Sequence, residues 1–258
     1  MALGQNGAVS TRFRWRHAMH DVYKPRVVVL TGAGVSAESG IKTFRDNNGL
    51  WENHRIEDVA TPEGFAANPD LVYQFYNDRR AQLQAPDVTP NQAHKALAEL
   101  ESALGEQFLL VTQNVDDLHE RAGSERVLHM HGKLLSARCC NTGKTTQWLD
   151  SFDAHTECRC CFPGAQVRPD IVWFGEVPMH MDEIILALAK ADVFIAVGTS
   201  GQVYPAANFV AMAADSGART IEINLEPSQQ NSLFDEKIVG KAGKVLPEFV
   251  THFIRDYC

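Results

Sequence analysis

The chain has 258 residues, 45% of them hydrophobic, and a formal net charge of −8 at pH 7. That supports one sizeable core, or a large domain with a smaller one inserted. It argues against a general affinity for nucleic acid or anionic membrane, and no apolar run approaches a membrane span. Five of the six cysteines fall between Cys139 and Cys161, a clustering that reads as a metal site rather than a disulfide framework.

The first 23 residues stand apart: Arg12, Arg14 and Arg16 alternate with Phe13 and Trp15, and no acidic residue precedes Asp21. The apolar stretch of a signal peptide is missing, and a flexible basic tail is expected; a transit peptide fits the composition, and Met19 is a candidate for an alternative start. Val27-Val28-Val29-Leu30 then reads as a buried parallel strand. It breaks into Thr31-Gly32-Ala33-Gly34, and Gly32, Gly34 and Ala37 fit the spacing of a dinucleotide fingerprint. There glycine removes the Cβ and a helix N-terminus offers free N–H groups to a pyrophosphate. Without a ligand, the same stretch is a tight strand-to-helix turn. The acidic residue that an ordinary dehydrogenase places about 20 residues on, to hold the ribose, is replaced by the loop-like Asn47-Asn48-Gly49-Leu50-Trp51-Glu52.

Residues 56–86 read as helical, with start signals at Thr61-Pro62-Glu63 and Asn68-Pro69-Asp70. On the second helix Tyr76 and Arg79, three apart, share a face; alone they read as a surface aromatic beside a solvated cation. Asn91 to Ala103 is an amphipathic helix, and His94 in it is read as structural. Phe108–Thr112 is a buried strand ending in Gln113-Asn114-Val115-Asp116, polar groups where open α/β sheets bind ligands, although Asp116 or Asp117 also suits a helix cap. In Val127-Leu128-His129-Met130-His131-Gly132 the two histidines would face one side of a strand. A zinc role for one of them is weighed, given the nearby cysteines.

Cys139-Cys140 and Cys158-Arg159-Cys160-Cys161 bracket a polar segment that lacks a core of its own and calls for a metal staple. The second pair has C-x-x-C spacing; in the first, Thr142 stands where the partner of Cys139 is expected. Cys139, Cys158 and Cys161 are the expected ligands, and either Cys140 or Cys160 completes four. Four thiolates leave no open position, so one structural zinc per chain is expected. Met181 to Ala191 reads as a helix. Strands at Val193–Val197 and Thr220–Asn224 end in Gly198-Thr199-Ser200 and Asn224-Leu225-Glu226, and Val245 to Phe253 closes the chain as a helix.

GAGVSAESGIKTFR, Gln113-Asn114-Val115-Asp116, His131-Gly132, Gly198-Thr199-Ser200 and Asn224-Leu225-Glu226, in that order, resemble the signatures of the sirtuins, NAD-dependent protein-lysine deacylases. The likeness runs from about Lys24 to Phe249, nearest to the bacterial CobB-type, desuccinylase-like branch. It implies a Rossmann-like parallel-sheet α/β domain (24–40, 96–132 and 169–253) with a smaller inserted helical and zinc-binding domain (41–95 and 133–168). For the cofactor it implies Gly32, Ala33, Gly34, Ser36, Ala37 and Glu38, Phe44 over the nicotinamide side, Arg45 near phosphate, and Trp51. Gln113 and Asn114 would take the nicotinamide ribose and Asp116 the carboxamide, beside Val115. Gly198, Thr199, Ser200, Asn224, Leu225, Glu226 and Ala242 would hold the remainder, with Asn224 on a ribose.

The resemblance makes His131 the general base, with Asn114 also catalytic. Tyr76 and Arg79 become a pocket for succinyl- and malonyl-lysine. Phe174-Gly175-Glu176 and the stretch holding Val203 and Tyr204 form the walls of a cleft for an extended acyl-lysine peptide. The implied partners are acylated proteins, without nucleic acid or membrane, for a monomer in the cytoplasm. The implied reaction consumes NAD; ADP-ribosyl transfer and non-catalytic NAD sensing are the rival readings.

Overall fold

The computed structural model describes residues 24–42, 50–51, 54–228 and 230–258. In chain order its strands are β1 Val27–Thr31, β2 Leu50–Trp51, β3 His54–Arg55, β4 Phe108–Thr112, β5 Val127–His129, β6 Gly132–Cys139, β7 Thr145–Gln147, β8 Val167–Ile171, β9 Val193–Val197, β10 Arg219–Asn224 and β11 Glu236–Val239. Its α-helices are α1 Ile56–Val59, α2 Pro62–Ala67, α3 Pro69–Leu83, α4 Gln92–Leu104, α5 Leu118–Ala122, α6 Met181–Leu188, α7 Phe209–Asp215 and α8 Ala242–Tyr257.

All five residues of β1 are buried. Val27 and Val29 join an apolar cluster with Leu97 and Leu100 of α4 and Leu246 and Val250 of α8. Val28 and Leu30 join another with Ile184 and Leu188 of α6 and Phe209 and Val210 of α7. Successive strand side chains point to opposite faces, so an uninterrupted apolar run demands helices on both sides. β1 lies inside a six-stranded parallel sheet of order β11-β10-β9-β1-β4-β5. The chain leaves β1 toward β4 and β5, then returns to β9 on its other side. That reversal is the switch point at which open α/β sheets leave a crevice.

The glycine turn after β1 does not open a long helix. It forms two short 3₁₀ turns, Ala33–Val35 and Ala37–Ser39, stopped by Gly40 at φ 87°. Gly32 N–H donates to Val197 O and Gly34 N–H to Gly198 O, both at 3.0 Å. A Cβ on Gly34 would stand 2.7 Å from Gly198 Cα. These glycines therefore let the ends of β1 and β9 touch.

α2 and α3 start where the sequence signals them: Thr61 Oγ1 accepts from Gly64 N–H (3.0 Å) and Asn68 Oδ1 from Leu71 N–H (3.2 Å), each with proline in the first turn. α8 is longer than expected at both ends. β6 pairs antiparallel with β7 and β8 in a three-stranded sheet. That sheet packs on α3 through Tyr73, Ala137, Phe152 and Val167, and Tyr73 O–H donates to Val167 O at 2.6 Å. β6 and β8 straddle the expected boundaries at 132/133 and 168/169, because pairing of Gly132 with Ile171 ties the two segments together.

Candidate functional site

The polar ends of β1, β4, β5, β9 and β10 share one edge of the sheet, because their strands are parallel. Ser36, fully buried, sits at the centre. Its hydroxyl donates to Asp116 Oδ2 (2.9 Å) and accepts from Asn114 Nδ2 (3.0 Å). His94 Nε2 lies 3.4 Å from the same oxygen. His94 Nδ1 accepts from Asn91 N–H at 3.3 Å, so the ring proton resides on Nε2 and points at Ser36. Burial pulls His94 down to about 4 and so keeps it neutral. Burial pushes Asp116 up to about 6, against the hydrogen bonds from Leu118 N–H and Ser36. His119, packed edge-on to His94, lies 3.0 Å through Nε2 from Thr31 Oγ1, and burial holds it at about 3.

β5 ends at His129, and His131 stands on the turn into β6. The two histidines are therefore not on a common strand, as the sequence suggested. His131 Nδ1 lies 3.1 Å from Gln113 O. A carbonyl only accepts, so Nδ1 carries the proton and Nε2 keeps its lone pair. Burial holds the His131 ring below its ordinary value, outweighing that hydrogen bond. Gly132 follows at φ 89°, where a Cβ would run into the Asp170 carbonyl. The His-Gly pair thus has a packing reason as well as a chemical one.

Other expected cofactor residues already have partners. Glu38 Oε2 accepts from Gly243 N–H at 2.8 Å, placing a carboxylate at the start of α8 beside Ala242, where the helix dipole favours it. Asn224 Nδ2 donates to Thr199 O at 2.6 Å, and its Oδ1 accepts from Leu225 N–H at 3.0 Å. The amide therefore braces the Gly198-Thr199-Ser200 loop. Ala37, Leu225 and Glu226 are exposed, and Val115 is half-buried. Phe44, Arg45 and the Trp51 side chain lie outside the described residues.

Tyr76 is fully buried rather than a surface residue. Its hydroxyl oxygen accepts from Trp173 Nε1–H at 3.0 Å, and burial pushes the phenol up while the Arg79 charge pulls the other way. The Arg79 guanidinium lies over the Phe75 ring at 4.4 Å. Its Nε and Nη1 are buried with no hydrogen-bond partner among the described residues. Val172 N–H donates to His131 O at 2.9 Å, so Trp173, which touches Tyr76, is the next residue along from a tether of His131. Phe174 and Tyr204 are exposed, Val203 is half-buried and Gly175 turns at φ 92°. Glu176 does not face outward: its carboxylate takes two bonds from Arg168 (2.7 and 2.8 Å) and one from Trp173 N–H (2.8 Å).

The sulfurs of Cys139, Cys158, Cys160 and Cys161 all lie within 4.8 Å of one another. Cys139 and Cys161 are 3.7 Å apart and Cys160 and Cys161 4.0 Å. Tetrahedral zinc with ordinary Zn–S bonds sets sulfurs about 3.8 Å apart, so this cluster is compatible with a structural zinc. Cys140, one of the two residues expected to complete the four, is outside it. Cys139 ends β6 buried, and the next side chain turns to the opposite, exposed side. Cys160 takes the place. Sequence reasoning read His94 only as structural and passed over His119 and Glu120; the Asn91-x-x-His94 capping box was the one local signal for the first.

A Sir2 family model matches residues 32–205. The chain is 59% identical over 243 residues to the NAD-dependent protein deacylase of Salmonella typhimurium, covering 94% of this chain and 89% of that one. It is 57% identical over 243 residues to the protein of that name from Escherichia coli (strain K12), covering 94% and 87%. Among solved structures it superposes on a Sir2 homologue–NAD complex with a TM-score of 0.80 at 41% identity, covering 90% of each chain. On Sir2Af2 bound to a myristoylated histone peptide the TM-score is 0.68 at 36% identity, covering 89% and 91%. The chain belongs to the Sir2 family.

Proposed function

We propose that this chain is an NAD-dependent protein-lysine deacylase that removes acetyl and succinyl groups, and malonyl by the same chemistry. The observation that carries the reading is His131: its Nδ1–H is fixed on Gln113 O, which leaves Nε2 as a base beside the loop that bears Asn114 and Asp116. NAD, a consumed co-substrate, supplies an electrophilic ribose carbon to the acyl-lysine carbonyl oxygen as its bond to nicotinamide breaks; one water is consumed in freeing the amine, and the products are free lysine, nicotinamide and 2′-O-acyl-ADP-ribose. Gly32, Ala33 and Gly34 would line the pyrophosphate, with Gly198, Thr199, Ser200 and the loops at Asn224 and Ala242 around the rest. Gln113 and Asn114 would orient the nicotinamide ribose and Asp116 its carboxamide. His131 Nε2 would accept a proton from a ribose hydroxyl, a transfer suited to an imidazole that is neutral at pH 7.

The acyl range rests on Arg79. Two buried guanidinium nitrogens without a hydrogen-bond partner among the described residues suit a carboxylate at the end of an acyl chain, and the neighbouring Tyr76 supports the same end. Phe174 and Gly175 on one side and Val203 and Tyr204 on the other are read as the walls for an extended peptide, held through its backbone. Cys139, Cys158, Cys160 and Cys161 would hold a zinc that shapes the small sheet and takes no part in the chemistry. A thiolate cluster of this kind suits a reducing compartment, in keeping with a cytoplasmic location, and we take the chain to act as a monomer. No helix among the described residues is long and apolar enough to cross a membrane.

Mass spectrometry of products from NAD with acetylated and succinylated peptides tests the reading. Nicotinamide with acyl-ADP-ribose from both peptides is expected. ADP-ribose left on protein, or no turnover, would replace it with transfer or with passive NAD binding.

A further inference from the structure

His129 is buried two residues before His131 and meets two groups that can only accept. Its Nδ1 is 3.2 Å from Asn114 O, and its Nε2 is 2.8 Å from Glu120 Oε1. Both bonds form together if each ring nitrogen carries a proton, or if Glu120 is itself protonated. The surroundings decide against protonated Glu120. Lys133 Nζ donates to the same Oε1 at 3.1 Å. Burial acts to raise the Glu120 carboxyl, but the hydrogen bonds it accepts, that of Lys133 among them, outweigh it and hold the group at about 2. Glu120 Oε2 is buried without a partner among the described residues, so the side-chain contacts of His129 and Lys133 on Oε1 are the ones that compensate a charge on the carboxyl group.

The two histidines thus grip consecutive carbonyls of one loop, His131 that of Gln113 and His129 that of Asn114. We propose that His129 is a positioning residue for the reaction: an imidazolium, anchored by Glu120 and Lys133, that fixes the Asn114 carbonyl and presents its charge to Asp116. The charged and titratable groups around it are Asp116 from the loop and His119 and Glu120 from α5, with Lys133 from β6 on the far side of the Glu120 contact. The His129 charge is one of the influences that lower Asp116, against burial and Asp117. Asp116 accepts through both oxygens, from Leu118 N–H and Ser36 O–H, which is the arrangement of an ionised carboxylate. The alternating pair therefore divides the work: a neutral ring acts as base at 131, and a cationic ring keeps the loop in place and Asp116 charged at 129. The role in turnover rests on the deacylase reading; the protonation state of His129 does not.

Two measurements on the full chain test this. The first is a long-range proton–nitrogen NMR spectrum of histidine-labelled protein at about pH 7, with the signal assigned by its loss in His129→Gln. Two protonated ring nitrogens at His129 are expected, against a single Nδ1–H at His131. A neutral ring at 129 overturns the proposal, whatever reaction the protein performs. The second is the pH profile of kcat/KM in Glu120→Gln. The introduced amide can still bond to Nε2, so packing and the Asn114 contact persist while the need for the second proton goes. The acid limb is expected to move to higher pH by on the order of half a pH unit or more, with the melting temperature little changed. An active variant whose acid limb has not moved removes the electrostatic part of the proposal. His129→Gln, which also weakens the grip on Asn114, should lower kcat by up to about 100-fold.

Discussion

Around Ser36 the polar groups are already paired: Asn114, Asp116 and His94 all reach its hydroxyl within 3.4 Å. On α3 the reverse holds. Arg79 keeps two buried nitrogens with no partner among the described residues, and an unmade bond to a buried polar group costs about 1–3 kcal/mol. The difference matches what each region meets in the proposed reaction. NAD is the same in every turnover, so the part of its proposed cradle around Ser36 can be assembled in advance. The acyl group varies, and two guanidinium nitrogens with no hydrogen-bond partner among the described residues are suited to an anion that a ligand brings.

Removing the metal should break this contrast most severely. Structural zinc holds small modules by roughly 10–16 kcal/mol, and the Cys-bearing sheet packs on α3 through Tyr73 and Phe152. Cys158→Ala should eliminate bound zinc by elemental analysis, lower the melting temperature and damage succinyl-peptide turnover before NAD affinity. Cys140→Ala should keep the full complement of zinc, since its side chain is outside the cluster; loss of zinc in that variant would mean that the cluster is wrongly drawn.

Within the cradle, His131→Ala should reduce deacylation of every acyl peptide by at least about 100-fold, the scale of a lost general base. NAD affinity, read by calorimetry, should be largely retained. Near-normal turnover would remove His131 from the chemistry.

At the acyl end, Arg79→Met should cut desuccinylation by roughly 10- to 100-fold, since a buried charge-assisted contact contributes about 1.5–3 kcal/mol. Deacetylation should change little, and Tyr76→Phe should follow the same pattern more weakly. Both reactions use NAD and His131, so equal losses on the two peptides would mean general damage and leave Arg79 without an acyl role.

The smallest effect concerns stability and pH. His94 and His119 are depressed by burial from 6.5 to about 4 and about 3. Their unfolded-state values lie higher, so their contribution is complete above about pH 6.5 and is lost as pH falls below it. Each adds a slope of about 1.4 kcal/mol per pH unit. Asp116, raised to about 6, works in the opposite sense from there down to its unfolded value and offsets one of them. The urea midpoint should therefore fall between about pH 7 and about pH 5, and His119→Gln should flatten that fall.

Local pattern determined much of this protein. The run Val27–Leu30 has no polar alternation, which by itself requires helices on both faces of a parallel strand, and β1 has them. Thr61-Pro62 and Asn68-Pro69 set the starts of α2 and α3 through bonds that span three residues. Gly32, Gly34 and the strand-end polar groups marked the sheet edge where the candidate site lies, because parallel strands bring their carboxyl ends together.

The identity of partners distant in the chain was decided only by the tertiary structure. Glu38 meets Gly243 across 205 positions, Ser36 meets Asp116 across 80, and Glu176 turns inward to Arg168. Cys160 displaced Cys140 because only packing showed which way the end of β6 turns. His129 and His131 are the same residue type two positions apart, and periodicity treats them alike. One faces a single carbonyl and the other a carbonyl and a carboxylate. The protonation of an imidazole follows from the acceptors that surround it, and those are set by the fold.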